Sequence, residues 1–187
     1  MNAKLMTGVI ILGIVIAALF LFTCKDDWCM LFAWQKAQVV NSFDDCVRLG
    51  FLVSESYPPQ CRAGSKSFTK NVGNELDKVD LIRINWPRPG STVKAGTPLL
   101  VKGEARGNWF FEASFPIVLK DANGTLLAQG IAQAEGEWMT TEFVPFVSTL
   151  SFSGTPATKD GTLTLQKDNP SGMPEHDDAL VIPLTFE

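Results

Sequence analysis

From residue 79 to the end of the chain, apolar residues recur in short alternating runs broken by proline, glycine and asparagine, with no long helical pattern. Extended backbone points successive side chains to opposite faces, so such runs read as strands with one buried face. Val79, Leu81, Ile82 and Ile84 open the series, and "NWPRPGS" closes this first run because Pro87, Pro89 and Gly90 cannot continue a ladder. The segments "TPLLVKGEA", "NWFFEASFPIVLKD", "TLLAQGIAQAE", "EWMTTEFVPFVSTLSF", "GTLTLQKD" and "ALVIPLTF" follow. Seven strand candidates in about 108 residues predict an all-β fold, a β-sandwich. "DANG", Asp121 to Gly124, is a hairpin turn by composition; it also forms a sequon at Asn123, which the turn accounts for without a glycan.

The amino-terminal end is of another kind. Leu5 to Cys24, "LMTGVIILGIVIAALFLFTC", contains no charged residue, and twenty residues in a helix reach about 30 Å, enough to cross a hydrocarbon layer. Lys4 precedes the run, whereas Lys25 is followed at once by Asp26 and Asp27, so the amino terminus is expected in the cytoplasm and everything from Lys25 onward outside. A cleaved signal peptide and a lipoprotein signal are the competitors. The run is long for the first, and Phe22 and Thr23 occupy places where both want smaller side chains. An uncleaved single-pass anchor over 1–24 is the expectation. With Lys4 left behind, the remaining chain carries 15 basic against 20 acidic residues, and no basic cluster suits nucleic acid.

All four cysteines, Cys24, Cys29, Cys46 and Cys61, precede residue 62, and an oxidising exterior favours disulfides. Three pairings are possible; Cys24 with Cys29 and Cys46 with Cys61 is the choice that closes short local loops. No CxxC pair is present and the single histidine, His176, is distant in sequence, which argues against zinc or thiol redox chemistry. Residues 25–40 are juxtamembrane, and Met30 to Trp34 can lie at the lipid interface or pack on the next module. Within 41–70, Ser42 is placed to cap a helical turn with Asp44 and Asp45 in its first turn and Gly50 at its end. "ESYPPQC" then returns Cys61 toward Cys46. About thirty residues cannot build a core alone, so the bridge is expected to hold this module together. "NVGNELDK", 71–78, reads as a polar linker. The cysteine, glycine, "ESYPPQC" and "SFT" pattern resembles a small two-cysteine motif of exported prokaryotic proteins.

Three stretches in order, "GEARGNWFFEASFPIVL", "GEWMTTEFVPF" and "DNPSGMPEHDDALVIPL", together resemble the Gmad2 domain, over about residues 80–187. That family is an immunoglobulin-like module of bacterial envelope proteins, accompanied in some relatives by a spore-germination domain called GerMN. The resemblance implies an immunoglobulin-like sandwich at a prokaryotic cell surface and supplies no catalytic residues. The sequence shows no GerMN pattern, which weakens any link to germination.

Alternation would send Trp109, Phe111, Ala113 and Phe115 to one face and Phe110, Glu112 and Ser114 to the other. Trp109, Phe111 and Phe115 with Trp138, Phe143 and Phe146 are then expected in the core. Phe110, sharing a face with Glu112, is the candidate for an exposed contact. Arg106 and Glu112 flank "GNW" and are expected to meet across a turn as an ion pair; alternatively Arg106 holds a carboxylate or sugar ligand through its planar fork. Arg106, Phe110 and Glu112 are therefore the candidate ligand-binding residues. In the last long loop, where "NPSG" reads as a turn, Asp168, Glu175, Asp177 and Asp178 offer the oxygen donors calcium takes. Their spacing matches no EF-hand, and no metal is assigned.

Catalytic signatures are thin. Ser171 and His176 lie close in sequence without a nucleophile elbow, and Glu135 with Glu137 or Glu104 with Glu112 are the carboxylate pairs that glycan hydrolysis would need. No Walker loop, dinucleotide fingerprint or HExxH occurs, so no cofactor is expected. These features together predict a membrane-anchored envelope protein whose immunoglobulin-like domain binds or assembles with another envelope protein or a cell-wall glycan. A glycan-directed hydrolase and a purely structural spacer are the alternatives.

Overall fold

A computed structural model describes residues 36–187. The expected membrane span, the bridge between Cys24 and Cys29, and the Met30 to Trp34 segment lie outside these residues. Among the described residues no helix is long and apolar enough to cross a membrane. The chain divides into two compact units, one ending at Lys70 and the other running from Asn71 to Glu187.

In the first unit helix α1 (Phe43–Arg48) precedes a hairpin of β1 (Gln60–Ala63) and β2 (Lys66–Thr69). The helix begins where Ser42 Oγ accepts the Asp45 N–H at 3.0 Å. Its end is set by Gly50 at φ +83°, with the Gly50 N–H donating to Val47 O and the Phe51 N–H to Cys46 O, both closing the last turn. Cys46 and Cys61 are bonded, S–S 2.02 Å, joining the helix to β1. Among the described residues of this unit Ala37, Val40, Cys46, Cys61 and Ala63 are the buried ones, and the bridge lies within that small cluster.

The second unit is all-β. After helix α2 (Glu75–Lys78) come β3 (Ile82–Trp86), β4 (Thr92–Val93), β5 (Leu99–Arg106), β6 (Ser114–Asp121), β7 (Leu126–Ala134), β8 (Phe143–Leu150), β9 (Asp160–Gln166) and β10 (Ala179–Phe186). They hydrogen-bond in the order β3-β5-β8-β7-β6-β9-β10-β4. β7 and β8 meet only at Gln133 with Val147 and Ala134 with Phe146, so the sheet folds over at that seam into two layers. Pro87, Pro89 and Gly90 carry the chain between β3 and β4, which stand at opposite ends of the order. Alternate residues of each strand fill the interior: Leu99, Val101 and Ala105 from β5, Phe115, Ile117 and Leu119 from β6, Leu180, Ile182 and Leu184 from β10. Phe115 links the layers, its ring 5.2 Å from that of Phe110 and 4.9 Å edge-on to that of Phe146. Gly103 lets the Phe146 ring lie against the β5 backbone; a Cβ there would stand 2.6 Å from it.

The predicted strands correspond to β3 and β5 through β10, the "DANG" turn joins β6 to β7, and β4, only two residues long, was not foreseen. Four expectations fail. "NWFFEASFPIVLKD" is not one strand: Gly107–Trp109 form a 3-10 turn, and Glu112 and Ala113 adopt φ +49° and +62°, so extended backbone starts only at Ser114. Phe110 is consequently buried, 4% exposed, and Phe111 is the exposed one at 42%. Trp138 is only partly buried and Phe143 sits half-buried on the outside of β8, while Trp109, Phe115 and Phe146 occupy the core as expected. Residues 71–78 are no free linker. The Asn74 side-chain amide donates to Ala179 O at 2.8 Å and accepts the Val181 N–H at 2.7 Å, copying a strand's hydrogen bonds along the edge of β10.

Candidate functional site

The outer face of β3, β5 and β8 carries the side chains that alternation turns away from the core. Register places them in rows: Arg106 beside Phe143, then Arg83 beside Glu104 and Pro145, then Trp86 beside Lys102 and Val147. Trp86 reaches this face because the β3 register shifts between Ile84 and Trp86. Regular alternation would have aimed it inward, and a bulge re-aims a side chain in this way. It is 50% exposed.

Arg106 donates from Nε to Asp80 O at 3.1 Å and from Nη1 to Thr141 O at 3.0 Å, with Glu142 at 3.8 Å. Arg83 donates from Nε to Val79 O at 2.7 Å and from Nη1 to Glu104 at 3.0 Å. Both guanidinium carbons stand 4.0 Å from the centroid of the Phe143 ring, so the two cations are no more than about 8 Å apart. Backbone carbonyls fix these forks before any ligand arrives, which lowers the ordering cost of using them. Glu104 and Glu142 offset the repulsion between the two cations. A half-exposed tryptophan, fixed arginines and a proline on one outward face have the composition of an interface anchor.

Of the three predicted ligand-binding residues only Arg106 is on this face. It does not pair with Glu112, as expected, but with Glu142, because the 3-10 turn after Arg106 and the left-handed turn at Glu112 separate the two. Glu112 sits instead in a two-residue turn, where the Phe111 and Ser114 N–H groups each donate to the other's carbonyl at 3.0 Å. Phe110 lies in the core beside Phe115. Arg83, Phe143 and Trp86 were missed; Arg83 and Phe143 follow from alternation alone, whereas Trp86 depends on a bulge at Asn85 that breaks the alternation.

The loop from Lys167 to Asp178 borders a polar groove of about 580 Å³ lined by Gln166, Asp168, Asn169 and Asp177 among others. Its four acidic residues are not gathered round a point: Asp178 pairs with Lys78 at 2.6 Å and Asp177 accepts from Asn169 at 2.7 Å. No group of three or more metal-ligating side chains occurs among the described residues. Ser171 Oγ lies 3.1 Å from His176 Nδ1. Asn169 Nδ2 donates to Met173 O and Asp177, which turns its Oδ1 toward Ser171 and draws the hydroxyl proton at 2.5 Å. The hydroxyl proton is thereby directed to Asn169 and not to the histidine. Of the carboxylates named for glycan chemistry, Glu104 is engaged with Arg83 and Glu137 with the Met139 N–H. Inside the domain, burial alone would raise the Asp121 carboxyl, but N–H groups of Thr125, Ala157 and Asn123 donating to it together hold it below the usual carboxylate range.

A family model described as an immunoglobulin-like domain of bacterial spore germination, Gmad2, matches residues 81–174, half of the chain. No curated protein and no solved structure matches it.

Proposed function

The chain belongs to the Gmad2 family of immunoglobulin-like domains, and on that footing we propose that it is a membrane-tethered envelope protein whose sandwich binds or helps assemble a partner. The uncharged run at Leu5 to Cys24 supplies the tether, with the sandwich outside the cell. The partner is an envelope protein or a cell-wall glycan. One observation carries the binding role: Arg83 and Arg106, locked by backbone carbonyls over Phe143, share an outward sheet face with Trp86. Guanidinium groups held in this way grip carboxylates, and the indole offers a stacking surface to a sugar ring or an apolar side chain.

Capture from envelope extract and from purified cell-wall glycan, with the full chain in detergent as bait, tests this. Arg106→Lys keeps the charge and loses the fork, and Trp86→Ala removes the stacking surface. Each should weaken capture about tenfold or more, as expected for an anchor residue worth about 2 kcal/mol, with the melting temperature little changed. Undiminished capture by both variants removes this face from the binding role, and absence of any captured partner favours the spacer.

A further inference from the structure

Two of the sandwich's strand edges, those of β10 and β7, are treated differently. Along β10 the free edge is closed by Asn74, by the Gly90 N–H to Pro183 O at 2.7 Å and by the Thr185 N–H to Ser91 O at 3.0 Å. Along β7, ahead of its pairing with β8 at Gln133, no strand covers the edge among the described residues. The Ala134 N–H turns toward β6, donating to Ala113 O, and the Glu135 N–H turns the other way, to Pro145 O. Ladder groups alternate, so those of Gln129 and Ile131 face away from β6. No β8 residue is in register with either, and only the Ile131 carbonyl is met, by the Ser148 hydroxyl at 2.8 Å. Nine residues, "LLAQGIAQA", contain no charge and no proline, the devices that usually blunt an edge. Leu126 and Ile131 are 51% and 58% exposed beside it.

We propose that a second copy of this chain occupies this edge, β7 pairing antiparallel with its partner's β7 about a two-fold axis at Gln129. The strand is self-complementary on that axis. Gln129 faces Gln129, an amide that both donates and accepts, and Ile131 falls opposite the Leu126 and Leu127 end of the other copy. An uncharged strand brings no like charges together. Length fits as well: β8 takes over at Gln133, and there the partner's chain has already reached Thr125, whose carbonyl accepts the Asp121 N–H at 3.0 Å and which turns back toward its own β6. The result is a closed, isologous dimer with one sheet running through both copies.

Sedimentation equilibrium of the full chain in density-matched detergent tests the pairing. The wild-type protein should sediment at twice the 20.5 kDa chain mass. Gln129→Lys and Gln129→Glu each place like charges face to face and should halve that mass, and an equimolar mixture of the two should restore it. Gln129 is exposed, so both variants should melt as the wild type does. A monomeric wild type, or a dimer that survives both substitutions separately, overturns the proposal. Two monomeric variants that stay monomeric when mixed overturn it equally.

Discussion

The two units solve the same problem with different means. The sandwich buries 23 residues in one cluster and contains no cysteine, whereas the first unit buries five among the described residues, two of them the bridged cysteines. A covalent link does for about thirty residues what packed side chains do for more than a hundred. Removing the link is therefore the most direct way to break the contrast. Cys46→Ser should cost the first unit about 2–5 kcal/mol, enough to unfold it, and leave the sandwich melting unchanged. Hydrogen exchange resolved by segment reads both at once.

Phe146→Ala attacks the other side. It deletes the ring that joins the layers at Phe115 and should destabilise the sandwich by about 3–5 kcal/mol in denaturant titration, with exchange in residues 41–70 unaffected. Asn74→Ala leaves the Val181 N–H and Ala179 O of β10 without their partner and should cost about 1–3 kcal/mol, visible as faster exchange at Val181. Ser42→Ala removes the cap of α1 and should cost the first unit about 1 kcal/mol. The smallest effect is on pH. Asp121 titrates below its unfolded value, so its stabilisation is complete above the ordinary carboxylate range and is lost as pH falls through the folded value. Melting temperature should drop on acidification, and Asp121→Asn should flatten that drop.

Strand periodicity made most of the sandwich legible because each buried strand shows its period of two in the sequence, as in "ALVIPLTF" with Leu180, Ile182, Leu184 and Phe186 inside. The first unit was readable for a different reason: its cap, its Gly50 stop and its bridge are each written in one residue type. Failures came where the backbone departs from the period at residues whose type does not fix the departure. Glu112 and Ala113 take left-handed conformations that their side chains disfavour, and the β3 bulge at Asn85 turns Trp86 outward. The proposed binding face was therefore only half visible. Arg106 was found through its chemistry, while its neighbours depend on register. The role of Asn74 was hidden altogether, since an asparagine in a polar stretch looks like any loop residue until β10 is placed beside it.

That asparagine has a mechanical consequence. Asn74 is the fourth residue of the sandwich unit, and its amide fastens the incoming chain to the last strand, with the Asn74 N–H adding a third bond to Val181 O at 3.3 Å. Tension arriving from residues before 71 would load this clasp ahead of β3. A pull on the chain ahead of residue 71 is thus borne first by the carboxy-terminal strand, before the layer that carries Arg83, Arg106 and Trp86.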